Sequence, residues 1–312
     1  MSKLLSSLAS AMLLSPAELD GLIRSAPHRY KVYKIPKRKR GEYRTIAQPA
    51  REVKALQYWI IDNLLRQRPV HPAAMGYRDG RSIKDNAERH AHSRFLLKMD
   101  FEDFFPSIES VDFEKYANVC DMGLSAIELQ AVMKILFWRP KNENKLCLSI
   151  GAPSSPIVSN LLMEAFDRQA AAMSSELGAF FTRYADDLSF SANESRVLRQ
   201  VERGVAEICR NVPYPYLRIN EEKTVRVSRK TSRRVTGLVL TNDERVSIGR
   251  EEKRRIRSFV HYYVNGRLSQ EEFLNLKGTL AFVNSVEPSF LARLRNTYGS
   301  DVIREIQTRA HL

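Results

Sequence analysis

Two stretches of the chain carry strand-like apolar runs that stop at acids. Phe95-Leu96-Leu97-Lys98-Met99 leads into Asp100, and the runs Ala179–Arg183 and Leu188–Ser191 flank Tyr184-Ala185-Asp186-Asp187. The first predicts a buried strand ending at Asp100, closed off near Pro106, which cannot donate to a sheet ladder. The second predicts a β-hairpin with carboxylates at its tip. Two more hairpins are expected, one over 29–47 ("YKVYKI", a "PKRKRG" turn, "EYRTIA") and one pairing 235–240 with 246–248. Elsewhere the period is helical. Val53, Leu56, Trp59, Ile60 and Leu64 form one stripe of an amphipathic helix over 53–65, which makes Trp59 a core residue. Ser15-Pro16-Ala17-Glu18 and Ser125-Ala126-Ile127-Glu128 are capping boxes that open helices. Further helices are predicted over 82–92, 154–173 and 195–209, and throughout 250–307. The order strand, helices, hairpin, helix, strand predicts an α+β unit with helices on one face of an antiparallel sheet.

The acidic tips raise a chemical question. An adjacent pair of like charges is costly unless a cation sits on it, and a hard divalent metal is the usual cation. Asp is also favoured in turns for local hydrogen-bonding reasons. Asp100 at the end of a second strand changes the weighing, because carboxylates from neighbouring strands can converge on one metal pair. Two ions roughly 3.5–4 Å apart clamp both oxygens of an in-line phosphoryl displacement. Glu102 and Asp103 lie past the strand end and read as solvated turn acids. Phe105 has two readings: core packing, or a ring against the sugar of a bound nucleotide that excludes a 2′-hydroxyl.

Charge points the same way. The 312 residues are 43% hydrophobic and carry a formal charge of +14, which suits a polyanionic partner and two or three subdomains. Residues 29–44 hold eight Lys/Arg against Glu42 alone, and 223–234 hold six with no acid. Either run is ordinarily a solvated face, but both flank the acidic centre and are read as backbone-contacting. Lys37 and Arg44 stand in the first hairpin, where an Arg fork suits phosphate. Cys120, Cys147 and Cys209 are scattered and odd in number, which fits a reducing cytoplasm. The apolar patch 4–14 is too short to span a membrane.

The motifs "LKMDFEDFFPSI" and "TRYADDLSF" resemble the palm motifs of reverse transcriptases, and "GAPSSP" at 151–156 resembles that family's template- and nucleotide-proximal loop. Asn86-Ala87-Glu88-Arg89-His90 and Val235-Thr236-Gly237 resemble the NAxxH and VTG motifs of the bacterial retron subgroup. The resemblance runs from about Arg29 to about Tyr298. It implies a right-hand polymerase with fingers, a ferredoxin-like palm and a helical thumb. The implied boundaries are an N-terminal extension 1–28, fingers 29–93, palm 94–240 with an insertion around 107–150, and thumb 241–312. It further implies two Mg²⁺ ions on the catalytic carboxylates Asp100, Asp186 and Asp187, with the Phe101 carbonyl as an extra ligand. Lys37, Arg44, Phe105, Gly151 and Lys223 are then nucleotide contacts. Lys223 reads either as a proton donor to pyrophosphate or as a generic backbone contact. Asn86, His90, Val235, Thr236, Gly237, Arg250 and Arg254 are candidate RNA contacts; Asn86 and His90, sharing a helix face, either touch RNA or organise local structure.

By the same resemblance the chain copies a cognate structured non-coding RNA with dNTPs, starting from a guanosine 2′-hydroxyl to give a branched RNA–DNA product. A companion effector in antiphage defence, a host RNase H (no nuclease domain is expected after the thumb) and a cytoplasmic location in bacteria also follow from it. Ile150 departs from the Gln that many relatives carry before "GAPSSP", so nucleotide handling is open there. Competing readings are a non-catalytic RNA-binding scaffold, a group II intron-like reverse transcriptase and, more distantly, a nucleotide cyclase.

Overall fold

The computed structural model describes residues 2–37 and 41–310. The expected "PKRKRG" turn falls largely on Arg38, Lys39 and Arg40, which lie outside the described residues. Nine strands are described: β1 (Tyr30–Pro36), β2 (Tyr43–Pro49), β3 (Phe95–Asp100), β4 (Phe180–Tyr184), β5 (Asp187–Ala192), β6 (Val225–Ser228), β7 (Arg233–Val235), β8 (Leu238–Leu240) and β9 (Val246–Ser247). They form a β1-β2 ladder, a four-stranded sheet of order β4-β5-β3-β6, and a β7-β8-β9 meander.

The chain divides into two compact units. The first comprises residues up to Asp79, Lys98–Phe190 and Arg196–Val225. Its N-terminal helices are Lys3–Met12 and Pro16–Ser25, and the expected Ser15 box opens the second and closes reciprocally, with the Glu18 carboxylate accepting from the Ser15 amide at 2.8 Å. The helix Arg51–Ile60 buries Val53, Leu56 and Ile60 as the stripe requires, then widens into a π turn over Ile61–Leu65. The buried Gln57 amide on that helix donates to the Tyr30 hydroxyl and to the Ile135 carbonyl, so a polar side chain ties three segments together. The single helix expected over 154–173 breaks at Met163 into Ser154–Leu162 and Glu164–Glu176.

The second unit comprises Gly80–Leu97, Ser191–Ser195 and Arg226–Leu312. In this unit the meander and the segment 80–97 group with the C-terminal helices Arg250–Val264, Gln270–Val286, Pro288–Tyr298 and Ser300–Thr308. One hydrophobic cluster explains why. Ala87, Leu96, Val235, Leu238 and Leu240 pack in the same core as Ile256, Phe273, Leu280 and Phe290.

Two local expectations also change. Val235–Leu240 is not one strand, because Thr236 (φ +47°) and Gly237 (φ +86°) make a two-residue turn between the paired Val235 and Leu238. Two successive positive φ values define the hairpin turn that matches strand twist. The helix expected over 82–92 spans only Ile83–Glu88, so Asn86 and His90 do not share a helical face.

Candidate active site

Asp100 closes β3, while Ala185 and Asp186 form the connection between Tyr184 at the end of β4 and Asp187 at the start of β5. Backbone hydrogen bonds fix these ends together. The Phe101 amide donates to the Asp186 carbonyl at 3.3 Å, the Asn220 amide to the Asp100 carbonyl at 2.8 Å, and the Glu102 amide to the Arg218 carbonyl at 2.9 Å. The Phe101 ring anchors the segment from beneath, stacked 5.6 Å from Phe104 and edge-on at 5.4 Å to Phe166.

The carboxylates feel one another. Burial, then the charges of Asp100 and Asp187, push the Asp186 carboxyl up to about 6. Asp187 is raised by burial and by Asp100, with Lys98 and Lys223 opposing. Lys223 donates from Nζ to Asp100 Oδ1 at 2.8 Å. Burial of that ammonium works against its charge, but the Asp100 hydrogen bond and the fields of the three aspartates raise its pKa overall. Three carboxylates against Lys98 and Lys223 leave the site short of positive charge, the donor chemistry that a hard divalent cation suits. Among the described residues no group of three His, Cys, Asp or Glu side chains encloses a metal position.

Several supporting residues were not singled out from sequence. Segment 73–76 runs beside β4, with the Arg183 amide donating to the Ala73 carbonyl at 2.8 Å and the Met75 amide to the Arg183 carbonyl at 2.7 Å. Gly76 lies directly against the turn: a Cβ there would stand 3.0 Å from the Ala185 nitrogen. Asn160 donates to the Gly76 carbonyl at 2.9 Å. Ala185 adopts φ +57° and Tyr77 φ +59°, conformations costing of order 1–3 kcal/mol for residues with a side chain. Arg183 and Asp167, both fully buried, form a bidentate ion pair behind the turn. The clue in sequence is an arginine inside an otherwise apolar strand, which needs an acid that only the fold can supply.

The Phe105 ring is half-buried, 5.3 Å from Phe104 and 6.5 Å from the exposed ring of Tyr77, which lies 6.2 Å from Tyr184. It therefore joins an aromatic wall rather than the closed core. Burial, then the Asp186 charge, raises the Tyr77 phenol, with Arg44 opposing, so Arg44, Tyr77 and Asp186 share one electrostatic neighbourhood. Lys37 is exposed and 3.8 Å from Glu42, a weak surface pair. Gly151 has φ +120°, and a Cβ there would meet Ala47 O, Gln48 Cγ and Ile46 Cγ2, each at 3.2 Å. Ile150 accepts from the Ala47 amide through its carbonyl at 2.9 Å. That contact is independent of side chain, so the loss of Gln at 150 leaves the docking of β2 intact.

The expected RNA contacts separate into two groups. Arg250, Arg254 and Gly237 are exposed, and Thr236 is partly so, its hydroxyl donating to the Ile83 carbonyl at 3.2 Å. Asn86, His90 and Val235 are buried, with 1%, 0% and 0% exposure, the placement expected of residues that organise local structure. Arg233 of the second basic run is likewise buried and spends its guanidinium on the carbonyls of Ser93 and Thr241. The two signature motifs thus build one scaffold within the second unit.

His90 lies 2.8 Å from the Ser191 hydroxyl through Nδ1, and burial pushes its pKa down to about 3. The unfolded imidazole titrates near 6.5, so the unfolded chain binds more protons between those values. The stability due to neutral His90 is complete above about pH 6.5 and is lost as pH falls toward 3. Between pH 7 and 5 the loss is about 2 kcal/mol. Urea unfolding at both pH values should show a native chain that loses about 2 kcal/mol more than His90→Gln between pH 7 and pH 5.

An α+β fold with carboxylates at adjoining strand ends beside an aromatic wall is that of a palm-type nucleic-acid polymerase. The family model "Reverse transcriptase (RNA-dependent DNA polymerase)" matches residues 35–240. The chain is 40% identical over 293 residues to the retron Ec83 reverse transcriptase of Escherichia coli, covering 93% of this chain and 94% of that one. It is 32% identical over 309 residues to the retron Ec86 reverse transcriptase of the same species, covering 96% and 92%. Among solved structures, telomerase from Candida albicans in complex with a TWJ fragment of telomeric RNA matches with TM-score 0.50 and 15% identity, over 89% of this chain and 61% of that one; this likeness concerns the fold alone. The chain belongs to the reverse transcriptase family and, within it, to the bacterial retron-type enzymes. It is an RNA-directed DNA polymerase working on an RNA template, in a family that uses divalent metal ions. No described helix is long and apolar enough to cross a membrane.

Proposed function

We propose that this enzyme copies a structured non-coding RNA from its own locus into single-stranded DNA, beginning at a 2′-hydroxyl of a guanosine in that RNA. The product is a branched RNA–DNA molecule. The observation that carries the reading is the mutual field of Asp100, Asp186 and Asp187, with one carboxyl held up to about 6 and Lys223 donating to Asp100. The RNA and the branch are what the resemblance to retron enzymes implies, and the retron names of the relatives are consistent with them. Bound to Asp100, Asp186, Asp187 and the Phe101 carbonyl, two Mg²⁺ ions would activate the priming hydroxyl and neutralise charge on the reacting phosphate.

The chain's own groups do the rest. Lys37 and Arg44 grip the triphosphate, and Gly151 lets the loop lie close to β2. The Phe105 ring stands against the sugar and turns away a 2′-hydroxyl. Lys223, whose ammonium donates to Asp100 beside the carboxylates, is the proton source for departing pyrophosphate. Arg250, Arg254, Thr236 and Gly237 face the RNA or its hybrid. The same reading places the enzyme in the bacterial cytoplasm, in antiphage defence with a companion effector, with a host RNase H removing copied template.

Incubation with the RNA of its locus, dNTPs and Mg²⁺ tests this. The expected product is DNA covalently joined to RNA, released by an enzyme that cleaves 2′–5′ branches. DNA made only from an added primer, with no conjugate, overturns the priming; no synthesis on any RNA overturns the site.

A further inference from the structure

Arg183 sits on β4 one residue before Tyr184, yet its side chain turns inward. Its Nε donates to Asp167 Oδ1 at 2.7 Å and its Nη2 to Oδ2 at 2.6 Å, while Nη1 donates to the Ala185 carbonyl at 3.1 Å. Both side chains have zero exposure. Its backbone is held on both sides by Ala73 and Met75. A buried ion pair is a poor source of stability, since apolar residues of similar volume commonly do as well. What this pair supplies, and an apolar pair cannot, is one N–H aimed at the carbonyl of a left-handed alanine.

Ala185 has φ +57°, a region that only glycine enters freely. Its carbonyl is bonded directly to the nitrogen of Asp186, so rotation of that peptide swings the Asp186 carboxylate. The Asp167 fork removes the freedom of the guanidinium, which in turn fixes the direction of Nη1. We infer that the Arg183–Asp167 pair is a positioning device that locks the Ala185 turn and thereby holds the Asp186 carboxylate toward Asp100. This rests on Asp186 being a metal ligand. A lysine at 183 keeps the charge facing Asp167 but, with its donors on a single nitrogen, lacks the rigid fork that aims a separate N–H at Ala185.

Two variants test it: Arg183→Lys, and Arg183→Met paired with Asp167→Leu. For each, thermal melting is measured with turnover on primer–template, KM for primer–template and the Mg²⁺ concentration at half-maximal rate. Folded variants should show turnover reduced about 10–100-fold. The Mg²⁺ requirement should rise several-fold, with KM for primer–template unchanged within about twofold. Native turnover and an unshifted Mg²⁺ curve in either folded variant overturn the inference. So does a general failure of both variants to fold, which would make the pair merely structural. Asp186→Asn separates the two layers: turnover retained there removes the ligand assignment itself, whereas an inactive Asp186→Asn beside a fully active Arg183→Lys removes only the clamp.

Discussion

Asp186→Asn is expected to end DNA synthesis, with turnover reduced by more than about 10³-fold, while the protein becomes harder to melt. The two effects share one cause. Burial and the charges of Asp100 and Asp187 hold the Asp186 carboxyl at about 6 rather than at the ordinary 3.8. Above pH 6 the folded chain carries that carboxylate at a cost the unfolded chain does not bear. The folded state binds more protons between 3.8 and 6, so this group's contribution improves as pH falls through that window and is unfavourable above it. With its partial exposure allowed for, removing the charge should stabilise the chelator-treated protein at pH 7.5 by on the order of 2 kcal/mol. Asparagine keeps the size and hydrogen-bonding capacity but cannot supply the ligand charge. RNA affinity should be unchanged, because the proposed RNA contacts, Arg250, Arg254 and the Thr236-Gly237 turn, are untouched. Extension assays, filter binding and melting in EDTA read the three quantities. Incorporation at a tenth of the native rate would count decisively against Asp186 as a ligand. The acid responses of Asp186 and His90 have opposite signs over overlapping windows, so each emerges only by comparison with its own variant.

The parts of this site legible in sequence are those whose signal is local. Strand β3 ends at Asp100 as the apolar run predicts, and the hairpin tip falls at Ala185-Asp186 because two short runs flank it. What the sequence could not show is which partner a residue meets far along the chain. Arg183 meets Asp167 on a separate helix, and Gly76 meets Ala185 from a segment with no element of its own. Motif matching had a different weakness. NAxxH and VTG are recognisable strings, but a string does not tell whether its residues recognise a ligand or pack, and here Asn86, His90 and Val235 pack. Charge counting misled in the same way at Arg233, a basic-run residue committed to backbone carbonyls. The break at Met163 inside an uninterrupted apolar-periodic stretch has no proline or glycine to announce it.

Gly76→Ala should cost about 10–100-fold in the rate of nucleotide incorporation, for a reason that is purely steric. Gly76 is buried and does not need a positive φ, so alanine can adopt its backbone. The added methyl, however, would stand 3.0 Å from the Ala185 nitrogen and 3.3 Å from the Tyr184 ring. Neither neighbour is a flexible side-chain end: one is the backbone of the turn, the other a ring in the aromatic wall. Relief therefore requires the turn to move by a few tenths of an ångström, which displaces Asp186 directly. The accompanying loss of stability should be modest, about 1–3 kcal/mol, the ordinary cost of overpacking. Gly21→Ala is the control, because a Cβ there meets nothing within 4 Å. Single-turnover incorporation, with melting curves alongside, measures the effect, and an unchanged rate would show that the turn tolerates displacement. Combining Gly76→Ala with Arg183→Lys sharpens the result. One change presses on the nitrogen of Ala185 and the other releases its carbonyl, so the two act on a single residue. Their effects on rate should fall short of additivity, since a turn already displaced has less left to lose.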